Sequence, residues 1–308
     1  MFIVTVGGKF NDIDGFGCAI AYAELLRKEG KEAKAVFVGP FNNSVTRMAL
    51  EAGGQFETDY KPSAEDQFVH VDISDGKYFA FPDKDESKIF EIYDHHYGFE
   101  EYWKERLGER SHIEHLGAAG TLIWEEFKKR GFENDISPAS ADLLALAILQ
   151  NTLNFTSTET SDRDVQAFAE LKAHISLSGD WEKRYFREIT EGTESAFQEA
   201  LRNDTKVIDN FLGQQTLIFS QLEIFEDPKV FFGRHKTEID AYWAELQSKR
   251  CLINIADIIS KTSLLYSDDA RWLHESIKSL FPSVLESSDG YIVIPLHQRK
   301  QILKLLQK

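Results

Sequence analysis

The chain is short of cysteine, of basic charge and of long apolar runs, and each shortage removes a class of function. Two cysteines, Cys18 and Cys251, stand among 308 residues. They are too few and too far apart for a disulfide framework or a thiolate metal site, which fits a reducing cytoplasm. Lysine and arginine total 35 against 51 aspartates and glutamates, a net charge of −16. Non-specific binding to nucleic acid or to anionic membranes needs a positive field, and this composition does not supply one. A small polyanionic substrate stays open, because bound divalent cations reverse the local potential. No apolar run approaches the ~20 residues of a membrane span, and the opening MFIVTVGG is too short for a signal-peptide core. A soluble cytoplasmic protein is the expectation.

What is present is an alternation of strands and helices. MFIVTVGG reads as a strand, and DGFGCAIAYAELLRKEG as a helix stopped by Gly30. EAKAVFVGP is a second strand and NNSVTRMALEAGG a second helix. QFVHVDISD and SKIFEIYDHH are two more short apolar runs that end in acidic turns, followed by helices in GAAGTLIWEEFKKRG and SPASADLLALAILQNTLNF. This order predicts an α/β fold with a doubly wound, mostly parallel sheet over residues 1–180. Residues 173–190 turn polar and read as a linker. Residues 190–308 then give a smaller α/β domain of mixed sheet, with a hairpin around Gly213, a helix over 237–249 and a strand at RCLINIADII.

Ligands of open parallel sheets bind outside the carboxyl ends of the strands, and acidic residues fall there. Asp12 and Asp14 follow the first strand, Asp72 the third, and Asp94, His95 and His96 the fourth. Each has an ordinary reading of its own. An aspartate before a helix is an N-cap, one at a strand end is a turn residue, and a histidine pair in a loop is a surface feature. Their arrival in order at successive strand ends favours a metal site. Two divalent ions ~4 Å apart would need such bridging and terminal oxygens with imidazole nitrogens, and would activate a shared water and clamp a phosphate. Mn²⁺ or Co²⁺ accepts this mixed donor set. GAAGT at a helix start offers backbone N–H groups to an anion through Gly117; tight packing by small residues explains it equally well. His112 and His115 read as structural or surface residues.

DIDG, VDISD and DHH, in that order after successive strands, resemble the signature motifs of the DHH phosphoesterase superfamily. IEHLGAAGTLIWEEF is similar to that family's glycine-rich segment, and LLALAILQNTLNFTSTETSDRD to the helix carrying its fourth motif. The C-terminal half lacks a GGGH segment. It resembles instead the second, DHHA2-like domain of manganese-dependent (family II) inorganic pyrophosphatases and their exopolyphosphatase relatives. The resemblance implies Asp12, Asp14, Asp72 and His95 as metal ligands, with Asp72 bridging. It implies His96 as the substrate-contacting proton donor and Lys206 as the phosphate-binding lysine. Lys9 is added as a neighbour of the same loop. Manganese is the implied cofactor, with Co²⁺ or Mg²⁺ as substitutes, and a homodimer through an edge strand of the first domain the implied assembly.

Three positions depart from the family pattern. Gly8 stands where a histidine ligand is expected, and SSDG where a basic run is expected, with Arg299 and Lys300 further on as substitutes. Asn151 stands where an aspartate is expected and remains as a weak fourth metal ligand beside Asp14, Asp72 and His95. The reading is a divalent-metal phosphohydrolase acting on pyrophosphate, short polyphosphate or a nucleotide, with one well-held ion and a second recruited weakly or with substrate. The alternative is a degenerate homologue that binds a phosphorylated ligand or a partner protein without turnover.

Overall fold

The computed structural model describes all residues except 10, 82–85, 212–214, 247–249, 282, 289 and 307–308, with the side chains of 210, 211, 215, 276 and 300 also outside the description. The chain divides into two compact units, Met1–Tyr185 and Phe186–Lys308.

The first unit is built on a five-stranded sheet of order β2-β1-β3-β4-β5. Its strands are β1 (Phe2–Thr5), β2 (Ala33–Val36), β3 (Gln67–Val71), β4 (Ile89–Asp94) and β5 (Ser111–Ile113). Every pairing is parallel, as alternation with helices requires, because a parallel neighbour can only be reached by a crossover. The helices are α1 (Ile13–Lys28), α2 (Arg47–Gly53), α3 (Glu100–Leu107), α4 (Ala119–Lys129), α5 (Pro138–Asn151) and α6 (Asp162–Leu171). Adjacent residues of β4 point to opposite faces. Ile92 packs with Trp103 and Leu107 of α3, while Tyr93 meets Tyr22 of α1 at 4.8 Å between ring centroids. Both faces are therefore covered, as in a doubly wound sheet. Helix α1 is apolar nearly all round and buried along most of its length, because α5 lies on the side away from the sheet. Gly17 permits that approach, since a Cβ there would stand 2.9 Å from the Leu143 carbonyl oxygen.

The polar stretch expected as a linker is largely a helix, α7 (Trp181–Ser195), which runs across the division between the units. Trp181, Tyr185, Phe186 and Ile189 are buried along it. Their near-helical spacing is masked in the sequence by the charged residues between them.

The second unit includes α8 (Phe197–Asn203). It contains β6 (Thr205–Phe211), β7 (Gln215–Ile224), α9 (Pro228–Glu245), β8 (Arg250–Asp257), β9 (Thr262–Ser267), α10 (Ala270–Trp272), β10 (Glu286–Ser288), β11 (Tyr291–Pro295) and α11 (Arg299–Leu306). Its six strands take the order β10-β11-β9-β8-β7-β6, mixed because β7 and β8 run parallel while the other pairs are antiparallel. Alternation divides its core in two. Ile218, Leu222, Ile253, Leu264 and Val293 pack under Phe231, Ile239 and Trp243 of α9. Leu217, Phe219, Leu252, Leu265 and Ile292 pack under Trp272, Ile277 and Ile302. The expected hairpin is present as the antiparallel pair β6–β7; Gly213 lies outside the described residues. Helix α9 begins at Pro228, ahead of the expected start at residue 237, with Asp227 capping it through the Lys229 amide. Among the described residues no helix is long and apolar enough to cross a membrane.

Candidate metal centre

Strands β1, β3 and β4 are neighbours running in one direction, so the residues just after them emerge at one sheet edge. Asp72 leaves β3 with a φ of +58°, a left-handed conformation that aspartate tolerates better than most residues. Its amide is fixed by the Tyr93 carbonyl at 2.7 Å. The Asp72 side chain is 8 % exposed. Its Oδ1 is buried without a hydrogen-bond partner among the described residues, and faces His95 Nε2 at 3.3 Å and His96 Nδ1 at 3.8 Å.

Both histidines are anchored from behind. His95 Nδ1 lies 3.0 Å from the Leu116 carbonyl oxygen, which makes Nδ1–H the donor. His96 Nδ1 lies 2.8 Å from Asp94 Oδ1, and that oxygen also accepts the amides of His95 and His96. Asp94, fully buried at the end of β4, is thus the clip that shapes the turn. The acceptor on His95 Nδ1 leaves Nε2, 3.3 Å from Asp72, as that ring's basic nitrogen, the arrangement in which a histidine presents itself to a metal. The His96 nitrogen nearest Asp72 is the Nδ1 that also meets Asp94, and the ring is more than half exposed.

Charge in the cluster is strongly coupled. Burial pushes the Asp72 carboxyl well above the ordinary range, and the negative neighbours Asp12 and Asp14 push it further. Burial works against charge on His95, yet Asp72 and Asp14 outweigh it and raise the imidazole to about 10. The bond to Asp94 raises His96 to about 9 against burial.

Asp14 is held differently. It is fully buried, and burial raises its carboxyl. Taking a carboxylate out of water costs several kcal/mol, and the start of α4 offsets it. Ala119 N donates to Asp14 Oδ2 at 2.8 Å and Gly120 N to Oδ1 at 2.8 Å. The N-cap of α4 is Ala118, with no side-chain cap of its own, so Asp14 takes that part from another helix. Asn151 Nδ2 donates to Asp14 Oδ2 at 2.5 Å, and Cys18 Sγ reaches Oδ1 at 3.5 Å. Asp12 caps α1, accepting the Gly15 amide at 3.0 Å.

Gly117 packs tightly, since a Cβ there would stand 2.7 Å from Thr152 Cγ2. Its N–H donates to Asp164 Oδ2 at 2.9 Å, and Thr121 Oγ1 donates to Oδ1 of the same residue at 2.6 Å. The amides at this helix start therefore serve the chain's own aspartates. Asp164 went unassigned in the sequence, although Ser161 three residues before it spells the capping box that the structure contains. Lys9 is exposed, with Nζ 4.9 Å from the Tyr78 ring centroid. His112 stacks on Tyr93, and His115 pairs with Glu100 at 2.9 Å.

In the second unit Lys206 is exposed on β6 and contributes, after Arg299, to the positive field at Asp204. The Arg299 guanidinium is 12 % exposed and pairs with Asp204 Oδ1 at 2.6 Å, donating also to the carbonyls of Asp204 and Phe219. The side chain of Lys300 lies outside the described residues.

Among the described residues, Asp72, His95 and His96 form the group of three acidic, histidine or cysteine side chains whose ligand atoms all lie within 4.8 Å of one another. No family model matches the chain. A probable manganese-dependent inorganic pyrophosphatase of Lactobacillus delbrueckii subsp. bulgaricus is 24% identical over 98% of this chain and 96% of its own. The manganese-dependent inorganic pyrophosphatase of Bacillus subtilis is 24% identical over 99% of this chain and 97% of its own. The crystal structure of a putative family II inorganic pyrophosphatase from Methanococcus jannaschii covers 100% of this chain and 98% of its own, with a TM-score of 0.65 at 18% identity. Along its whole length the chain is similar in sequence to manganese-dependent inorganic pyrophosphatases, and its fold matches that of the solved structure.

Proposed function

We propose that the protein is a divalent-metal-dependent phosphohydrolase acting on a small phosphoanhydride or phosphoester, pyrophosphate before longer polyphosphates or nucleotides. One observation carries the reading: two imidazoles, each anchored through Nδ1, flank a buried carboxylate oxygen that has no hydrogen-bond partner among the described residues. Nitrogen and oxygen donors in this mixture suit Mn²⁺, the metal named for the relatives. Asp72, His95 and His96 would hold it. When bound, the ion lowers the pKa of a coordinated water toward ~7 and polarises a phosphoryl oxygen.

The chain's own residues do the rest. Leu116 and Asp94 fix the two rings, so the donor set is preorganised. This gives His96 to the metal in place of the proton-donor role that the resemblance implies. Lys206, exposed on its strand, is the cation assigned to substrate phosphate, whereas Arg299 is already bound to Asp204 and holds that residue in place.

The test is phosphate release from pyrophosphate, tripolyphosphate and nucleotides with Mn²⁺, Co²⁺ or Mg²⁺. Release that needs the ion and is lost in Asp72→Ala supports the proposal and names the substrate. Silence from folded protein across the panel would sink it. A second reading, binding without turnover, is favoured by the engagement of Asp14 with Asn151 and of Arg299 with Asp204. It predicts that silence together with measurable pyrophosphate binding.

A further inference from the structure

Granting a divalent ion at this sheet edge, as proposed above, we infer that the centre holds one metal ion per chain, on Asp72, His95 and His96. Asp14 and Asn151 have left the ligand set to become a hydrogen-bonded pair. A carboxylate offers about four lone-pair positions, and Asp14 has four donors around it: Ala119 N and Asn151 Nδ2 on Oδ2, Gly120 N and Cys18 Sγ on Oδ1. A metal bound there must displace one of them. The two backbone amides belong to the first turn of α4, where the helix supplies no acceptor of its own, and a buried donor left unpaired is costly.

Asn151 explains why no cation is needed. A carboxylate at that position would stand against Asp14 as a like charge and call for a positive ion between them. The neutral amide instead donates to Asp14 and closes the gap at 2.5 Å.

The remaining positions supply too little for a second ion. Asp12 gives Oδ1 to the Gly15 amide. Gly8 has no side chain, and the space where one would begin is taken: a Cβ there would stand 3.3 Å from Ala80 Cα. That neighbouring segment is bonded onto the exit of β1, with Gly8 N donating to the Tyr78 carbonyl at 2.8 Å and Ala80 N to the Val6 carbonyl at 3.2 Å. Among the described residues a second ion would find Asp12 Oδ2 as the carboxylate oxygen left over, whereas the group Asp72, His95 and His96 is compact. The two-ion arrangement suggested by the carboxylates at three strand ends is therefore reduced to one.

The experiment is equilibrium dialysis of the full chain against Mn²⁺ with elemental analysis, joined to electron paramagnetic resonance of the loaded protein. One ion per chain with an uncoupled six-line Mn²⁺ spectrum is expected. Two ions with an exchange-coupled spectrum would overturn the inference. No bound ion would overturn it together with the metal-dependent reading, while one ion without phosphate release would overturn the hydrolase reading alone. Asn151→Ala is expected to keep the ion with affinity within about threefold, and a tenfold or greater loss would return Asn151 to the ligands. His95→Ala, checked for folding by circular dichroism, is expected to lose the ion; retention at unchanged affinity would overturn the assignment.

Discussion

At the scale of single residues, the proposed site depends on groups that stand behind its ligands. Asp94 fixes His96 and both histidine amides, so Asp94→Asn should weaken Mn²⁺ binding by about 10–100-fold while the fold persists; a metal titration beside circular dichroism checks this. A second prediction concerns Glu223 in the other unit, whose carboxyl burial raises to about 7, with Asp204 adding to the effect. A raised carboxyl favours the folded state at low pH, where it keeps its proton. That contribution is complete below the unfolded value of 4.5 and is lost as pH rises through about 7. Glu223→Gln should therefore leave stability unchanged near pH 4 and raise it by about 1–3 kcal/mol at pH 8, read as thermal midpoints across that range. The placement of Asp12, Asp14, Asp72 and His95 just beyond strand ends was legible because a chemical type at a strand end needs only the strand to be recognised. Whether an oxygen there stays open to a ligand was not legible, since Ala119 and Gly120 reach Asp14 from more than a hundred residues away.

At the scale of elements, close approach sets what the sequence tolerates. The Cβ of an alanine at Gly17 would meet the Leu143 carbonyl group, a backbone neighbour that cannot swing aside. Alanine would gain about 1 kcal/mol in helix propensity, and overpacking costs about 1–3 kcal/mol. Gly17→Ala should lower stability by up to about 2 kcal/mol and the thermal midpoint by up to about 8 °C, measured by calorimetry. Strands β1 to β4 and the first two helices were readable because apolar runs alternate with helical patterns and glycine stops. Strand β9, TSLLYS, carries no turn signal strong enough to separate it from β8, and α7 hides its buried aromatic residues among charges. The early start of α9 was available in the sequence as Asp227-Pro228, a cap followed by a proline suited to the first helical position.

At the scale of the whole molecule, a net charge of −16 attracts divalent cations and repels polyanions. Screening should then help encounter with pyrophosphate: at fixed free Mn²⁺, kcat/KM is expected to rise severalfold between about 10 and 150 mM ionic strength, as the Debye length shortens from about 30 to 8 Å. A fall over the same range would mean that local positive charge, not the overall field, governs capture.

The parallel order of the first sheet also sets a clock. Strand β1 sits between β2 and β3, and Phe2 pairs with Gln67, 65 residues later. At ribosomal speeds of about 5–20 residues per second, β1 waits roughly 3–13 s for its second neighbour. Throughout that wait one of its edges is an unpaired row of amides and carbonyls, open to any strand that passes. The topology that delivers Asp14, Asp72 and His95 to one edge thus makes delay during synthesis the interval in which this unit is most exposed to aggregation.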